Sequence, residues 1–261
     1  MSDTVHLRYG QTGLDVRLPP TAKATLIGKR TLPKIADPHA AVRHALANPV
    51  NARPYAELAR GRRSACILVC DITRPVPNHL FLRPLVKGLL AAGVPAQAIT
   101  VLVATGLHRP NEGDELAEVI GDPWVLQTVK VENHFARDAQ AHVDFGFTSG
   151  RRTPVKLDRR FVEADLRIAT GLVEPHFMAG YSGGRKVIAP GIAHEVAVVV
   201  DHGVERVDLP QHAHDLELLF VQGIAVEVAL DRERIAHEAR AVERADRVFV
   251  GDAGRDDLAA A

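Results

Sequence analysis

The sequence predicts an α/β fold, a doubly wound and mostly parallel sheet, on three observations. Short uninterrupted apolar runs stand at Ala65–Cys70 (ACILVC), Ile99–Ala104 and Leu166–Ala169, the mark of strands buried on both faces of a parallel sheet. Stretches with helical apolar spacing alternate with them. Each run is followed at once by a polar segment, at the edge where open parallel sheets bind ligands.

Taken in order, Thr4–Tyr9 and Leu14–Leu18, separated by Gly10-Gln11-Thr12-Gly13, read as a β-hairpin. Asp37-Pro38 starts a helix, with Asp as cap and Pro in the first turn, which runs to about Ala47 before Pro49. Leu82, Val86, Leu89 and Leu90 carry helical spacing ended by Gly93, and Pro84 is expected to delay or kink that helix. Asn111, with Asp114 three residues on, is expected to cap a helix closed by Gly121. Val129–Val131 is a third strand, and Val143–Thr148 with Pro154–Leu157 a hairpin insertion. His194–His202 reads as helical or extended. Phe220–Leu230 and Arg247–Val250 are strand candidates around a helical Arg232–Arg240, and the polar tail is expected to fray.

Composition narrows the function classes. Lys plus Arg equals Asp plus Glu, 32 each, so no global charge field favours nucleic acid or an anionic membrane. No apolar run reaches the roughly 18 residues of a membrane span, and the opening MSDTVHLRYG is no signal peptide, so a cytoplasmic protein is expected. Cys66 and Cys70 share a strand face as buried thiols in a reduced interior, and their spacing is weak metal evidence. Arg62-Arg63 and Arg151-Arg152 read as solvated loops.

The unusual residues gather at strand ends. Asp71–Pro75 follows the Ala65–Cys70 run, Thr105–Pro110 the Ile99–Ala104 run, Glu132–His134 the Val129–Val131 strand and Glu174–His176 the Leu166–Ala169 run, so four polar segments converge on one edge. There His108 and His176 are a candidate acid/base pair near neutral pH. Arg74 is a forked clamp for a carboxylate or phosphate, and Asp71 is placed to orient Arg74 or a histidine. The stretch Gly171–Gly191 (GLVEPHFMAGYSGGRKVIAPG) is richest. Gly180, Gly183 and Gly184 permit positive φ and an anion-binding nest, and Ser182 is a candidate cap for a helix with Lys186 in its first turn. The spacing is neither a Walker A loop nor GxGxxG, and the blander reading is a glycine-rich turn with a solvated lysine. His202, beside Asp201, is a candidate metal ligand, although zinc-site spacings are missing. His194, His212 and His214 read as surface residues.

In this order the motifs DITRP (Asp71–Pro75), ATGLHRP (Ala104–Pro110), ENH (Glu132–His134) and PHFMAGYSGGRKVIAPGI (Pro175–Ile192) resemble the lactate racemase family, from the opening hairpin to about residue 205. The resemblance implies a nickel-pincer nucleotide, a pyridinium mononucleotide with two sulfur-bearing arms, tethered to Lys186. It implies Ni(II) held by sulfur, carbon and sulfur with His202 completing the square plane, a soft-donor geometry that suits that ion. His108 and His176 match the acid/base histidines, Arg74 the holder of the substrate carboxylate, and Gly183, Gly184, Asp71 and Thr73 the cofactor surroundings. The implied function is racemisation or epimerisation of a small 2-hydroxy acid by hydride transfer to and from the cofactor. Inversion calls for two histidines because each enantiomer presents its hydroxyl to a different one.

The expected organisation is a cofactor-binding, catalytic domain over residues 1–205, with 206–261 as its C-terminal extension. Longer family members continue into a second α/β domain that closes over the site, and that domain is expected to be absent from this chain. A separate second domain or a homo-oligomer is then the expected partner. Two other readings stand beside the enzyme. One is a cofactor-binding module, or half of a split enzyme, without turnover of its own; the other is an ordinary phosphate-binding domain using the Gly180–Lys186 loop.

Overall fold

The computed structural model describes residues 4–7, 9–10, 12–22, 24–25, 33–50, 52–147, 152–176, 180–182, 184–196, 217–221 and 224–229. The chain divides into two compact units, Met1–Ala36 and Asp37–Ala261. In the first, β1 (Thr4–Leu7) and β2 (Leu14–Arg17) form the expected antiparallel hairpin, with Val5 opposite Val16.

The second unit is built on a six-stranded sheet. β3 (Ala65–Cys70), β4 (Ile99–Ala104), β5 (Lys130–Asn133) and β8 (Leu166–Leu172) run parallel in the order β8-β3-β4-β5. Beyond β8 the sheet continues with β12 (Ile224–Ala229) and β11 (Glu217–Val221), both antiparallel to their neighbours. The Phe220–Leu230 strand candidate is therefore a pair of strands, in the same sheet as the residues before 205. β6 (His142–Phe147) and β7 (Pro154–Asp158) make a separate antiparallel pair, as expected for the insertion.

The two-residue period of the strands divides their side chains between two cores. Ile67, Val69, Val101 and Val103 face a layer of α1 (Pro38–Ala47), α2 (Tyr55–Ala59), α3 (Asn78–Ala91), α4 (Gly113–Ile120) and α5 (Pro123–Thr128). Cys66, Leu68, Leu102 and Ala104 face Leu157 of β7, Phe161 of α6 (Arg159–Glu163), and Val187, Ile192 and Ala193. Both faces of the sheet are covered, which explains the unbroken apolar runs. Cys66 is buried and Cys70 half-buried, and the two are not joined in a disulfide.

Local chemistry accounts for most element ends. The Asp37 carboxylate accepts from the Ala40 amide at 2.8 Å, with Pro38 in the first turn of α1. Gly121, at φ +64°, closes α4. Asp122 accepts from the Trp124 amide at 3.0 Å and caps α5, a helix too short to leave a periodic signature in the sequence.

Three expectations need correcting. α3 starts at Asn78, so Pro84 lies inside it rather than delaying it; Phe81, Leu82, Leu85, Val86 and Leu89 are buried along one face, and that packing outweighs one missing backbone bond. Glu112, not Asn111, is the N-cap residue of α4, because the Asn111 side chain is engaged across the sheet edge. β8 runs on to Leu172 instead of ending at Ala169, helped by the buried Thr170 hydroxyl, which donates to the Leu68 carbonyl at 2.8 Å.

α2 is held to α3 by Tyr55, whose hydroxyl donates to the Leu85 carbonyl at 2.8 Å. Its ring lies so close to Gly88 that a Cβ there would sit 2.6 Å from Tyr55 Cε1. Helix propensity alone favours alanine over glycine by about 1 kcal/mol, but the buried ring has no room to yield. Gly88→Ala is expected to lower stability by about 1–3 kcal/mol, the usual cost of overpacking. Urea denaturation of the two proteins checks this, and a stabilised variant would refute the steric argument.

Candidate functional site

The parallel strands bring their carboxyl ends to one edge. β3 is followed by Asp71, which is 6% exposed. Its Oδ1 accepts from the Thr73 amide at 3.2 Å and from the Thr73 hydroxyl at 2.6 Å. Its Oδ2 is 2.5 Å from Nδ1 of His108, the residue the turn after β4 brings across. The His108 side chain is 59% exposed. A carboxylate on Nδ1 fixes the tautomer, so Nδ1 donates and Nε2 turns its lone pair outward. Asp71 thus orients a histidine, one of the two roles the sequence allowed.

Arg74 is exposed in the same turn, and its Nη1 donates to the Thr73 carbonyl at 3.2 Å. The loops after β3, β4 and β5 are tied together by two asparagines. Asn111 Oδ1 accepts from the Ile72 amide at 3.2 Å, Asn133 Oδ1 accepts from the Asn111 amide at 3.0 Å, and Asn133 Nδ2 donates to the Asn111 carbonyl at 2.8 Å. Asn111 also donates to Glu115 at 2.9 Å. The Arg109 guanidinium, and then Asn111, hold the Glu115 carboxyl down to about 2.

The segment after β8 folds back as a second hairpin, β9 (Glu174–His176) against β10 (Gly180–Ser182), with His176 paired to Gly180. The backbone therefore sets His176 at the far end of that hairpin. Ser182 ends β10, and Lys186 lies half-buried in the short 3-10 turn that follows, Gly184–Val187. That turn packs against β8 and β3. Past it, the Gly191 carbonyl accepts from the Gly106 amide at 2.9 Å. Gly106 holds φ +54°, which bends the chain between Thr105 and His108. Gly183, His202, His212 and His214 lie outside the described residues, as do Asp201 and the Arg232–Arg240 and Arg247–Val250 segments.

His134 does not join the open edge. It is buried, with Nδ1 2.9 Å from Asp158 Oδ2 and Nε2 3.2 Å from the Ala193 carbonyl. Arg160 donates twice more to Asp158, at 2.9 and 2.6 Å. Burial raises the Asp158 pKa, but Arg160 and His134 outweigh it and hold the carboxyl at about 2. His142 lies edge-on to His134 at 5.2 Å between centroids and to His194 at 5.0 Å. His194 is 8% exposed, so the surface reading is overturned: its ring is covered at the end of a chain segment that enters the second core at Ile192 and Ala193. Nothing local in the sequence marks Asp158 or Arg160, and Asn111 and Asn133 stand out there only as a helix cap and as part of ENH after the Val129–Val131 strand.

This cluster sets an acid response. Burial, more than any neighbour, holds His142 below its ordinary 6.5; the Asp138 carbonyl and Asp158 oppose the shift, while His134 and His194 reinforce it. The unfolded chain then takes up that proton more readily than the folded one, so stability falls as the pH drops below about 6.5. Asp158 adds a second loss as the pH falls from its ordinary 3.8 toward about 2. Melting temperature against pH is expected to decline in these two windows. His142→Phe should flatten the upper one, and an unchanged upper limb in that variant would contradict the assignment.

The chain is similar to known proteins in sequence and in fold. A family profile described as the lactate racemase N-terminal domain matches residues 9–213. The lactate racemase of Lactiplantibacillus plantarum is 35% identical over 170 residues, which cover 65% of this chain and 39% of that protein. The lactate racemase of Thermoanaerobacterium thermosaccharolyticum is 34% identical over the same shares. The structure of the T. thermosaccharolyticum lactate racemase apoprotein superposes with a TM-score of 0.63 at 31% identity, covering 76% of this chain and 46% of that one. A Thermotoga maritima protein, at 19% identity and a TM-score of 0.52, shares the fold. The chain spans less than half the length of these curated relatives. With the profile covering most of its length and the same sheet beneath it, the chain belongs to the lactate racemase N-terminal domain family.

Proposed function

We propose that this chain carries the acid/base and cofactor-tethering half of a 2-hydroxy-acid racemase or epimerase. The observation that supports this best is the Asp71–His108 pair, with a buried carboxylate on Nδ1 and an exposed ring. In this reading His108 Nε2 accepts the hydroxyl proton of a substrate whose carboxylate is held by Arg74. Asp71 keeps the ring in the right tautomer and balances the charge it gains. His176 does the same for the opposite enantiomer, so a proton removed by one histidine is resupplied by the other on inversion. Arg74, exposed in the same turn as Asp71, offers the planar fork that suits a carboxylate.

The residues fit a tethered nickel-pincer nucleotide. Lys186 is half-buried in a turn packed against β8 and β3, the setting of a lysine that can carry a covalent group. Thr73 is exposed at the same edge, and Gly184 opens the turn. Lys186 would hold the group, with Gly183, Gly184, Asp71 and Thr73 around it and His202 on the nickel, an imidazole donor suited to that ion. When bound, the group supplies the site for hydride removed from and returned to the substrate carbon, and the protein supplies orientation and proton transfer.

The share of the relatives covered, 39%, favours a second reading: the chain binds cofactor and turns over only with a further domain. Two measurements test these readings on protein made alongside the cofactor-synthesis enzymes. Intact mass is expected to show an adduct that Lys186→Ala abolishes together with bound nickel, while His202→Ala loses nickel and keeps the adduct. Chiral analysis of several 2-hydroxy acids, with and without a relative's second domain, reads turnover. His108→Ala is expected to keep the adduct and slow interconversion by about 10²–10⁴-fold, the range of general acid–base catalysis. Wild-type turnover in that variant would sink the paired-histidine mechanism.

A further inference from the structure

We propose that His134 is a positioning residue that holds the segment following Lys186 and so fixes the lysine amine at the carboxyl edge of the sheet. The inference rests on the reading of Lys186 as the tether. Lys186 opens a compact run in which Gly191 donates back to the Lys186 carbonyl at 3.2 Å and Ile192 to the Ile188 carbonyl at 3.0 Å. A Cβ on Gly191 would clash with the Val187 carbonyl, so this turn closes without slack. Any displacement of residues 191–193 is therefore passed to the lysine.

That run is fastened at its far end. The Asp158 amide donates to the Ile192 carbonyl at 3.0 Å, the His194 amide to the Lys156 carbonyl at 3.0 Å, and the Glu195 amide to the Ala136 carbonyl at 2.9 Å. The Ala193 carbonyl accepts from His134 Nε2. His134 itself is fixed on three further sides. Its amide donates to the Val103 carbonyl at 3.0 Å, its carbonyl accepts from the Thr105 hydroxyl at 2.7 Å, and its Nδ1 faces Asp158. One buried residue thus joins the end of β4 and the turn leading to His108 through its backbone, and the start of α6 and the lysine run through its side chain.

The chemistry of the contacts makes histidine specific here. The Asp158 carboxylate faces one ring nitrogen and the Ala193 carbonyl the other, a pair of partners that an imidazole spans from its two ends. Glutamine, with both hydrogens on one nitrogen, reaches one partner, and phenylalanine neither. A buried acceptor left unmet is costly, and the Ala193 carbonyl is the one whose release frees the lysine run.

The test uses the full chain without cofactor. Trace reductive methylation is read by mass spectrometry as the labelling of Lys186 relative to exposed Lys87 in the same molecules, and amide exchange is followed over residues 187–193. His134→Phe is expected to raise both about tenfold, equivalent to about 1.4 kcal/mol of lost restraint, and His134→Gln to raise them less. Leu58→Ala, a core variant in α2 away from this cluster, lowers global stability and is expected to leave the labelling ratio unchanged. Should the phenylalanine variant not fold, His134→Gln carries the same comparison. An unchanged ratio in both His134 variants, or an equal rise in Leu58→Ala, overturns the proposal. Because the readout needs no cofactor, it is independent of the function above. Absence of an adduct on co-expressed wild-type protein would sink the tether reading, while the labelling ratio would still judge His134.

Discussion

β3 constrains everything around it. It is hydrogen-bonded to β4 on one side and β8 on the other, both parallel, and apolar layers cover both faces. A strand so enclosed leaves polar groups only its ends at which to meet water or a ligand. Parallel pairing sends its neighbours out at the same edge. Asp71, the turn leading to His108, and the hairpin bearing His176 share that edge because the hydrogen-bond register leaves them no other.

The buried polar cluster shows how the same sheet stays rigid beneath an open site. Taking Asp158, Arg160 and His134 out of water is costly, and the attraction between them repays it only when remaining hydrogen-bonding positions are filled. Here they nearly all are: Asp158 accepts from Arg160 and His134, and Arg160 reaches on to Glu132 at 3.1 Å and the Asn133 carbonyl at 3.0 Å. His142 is the exception, since its Nδ1 meets the Asp138 carbonyl at 2.7 Å while its buried Nε2 has no partner. The strain of acidification therefore falls on His142 before it reaches the carboxylate.

The two kinds of histidine differ in their surroundings. His108 is oriented from behind by a buried carboxylate and left open in front. His134 meets acceptors on both nitrogens and is closed on every side. Only the first arrangement leaves a lone pair available for proton transfer, although both histidines follow parallel strands in similar polar tripeptides or turns. Burial and partner chemistry separate them, and residue type does not.

The sequence alone determined the strands, because an apolar run flanked by turn residues and a capping pair such as Asp37-Pro38 act within a few residues of one another. It also located the polar segments at the strand ends, since chain order and strand order coincide for β3, β4 and β5. The family motifs carried expectations, beyond what local pattern determines, to Lys186, His108 and His176. Tertiary structure decided which of those polar residues face solvent. His108 meets Asp71 across 37 residues, and His134 meets Asp158 and Ala193 across 24 and 59. Asn111 left its local capping role for an amide on another loop, and His194 was drawn inward with Ile192 and Ala193. Such pairings follow from strand order and from which face each connection covers, quantities that local periodicity does not encode.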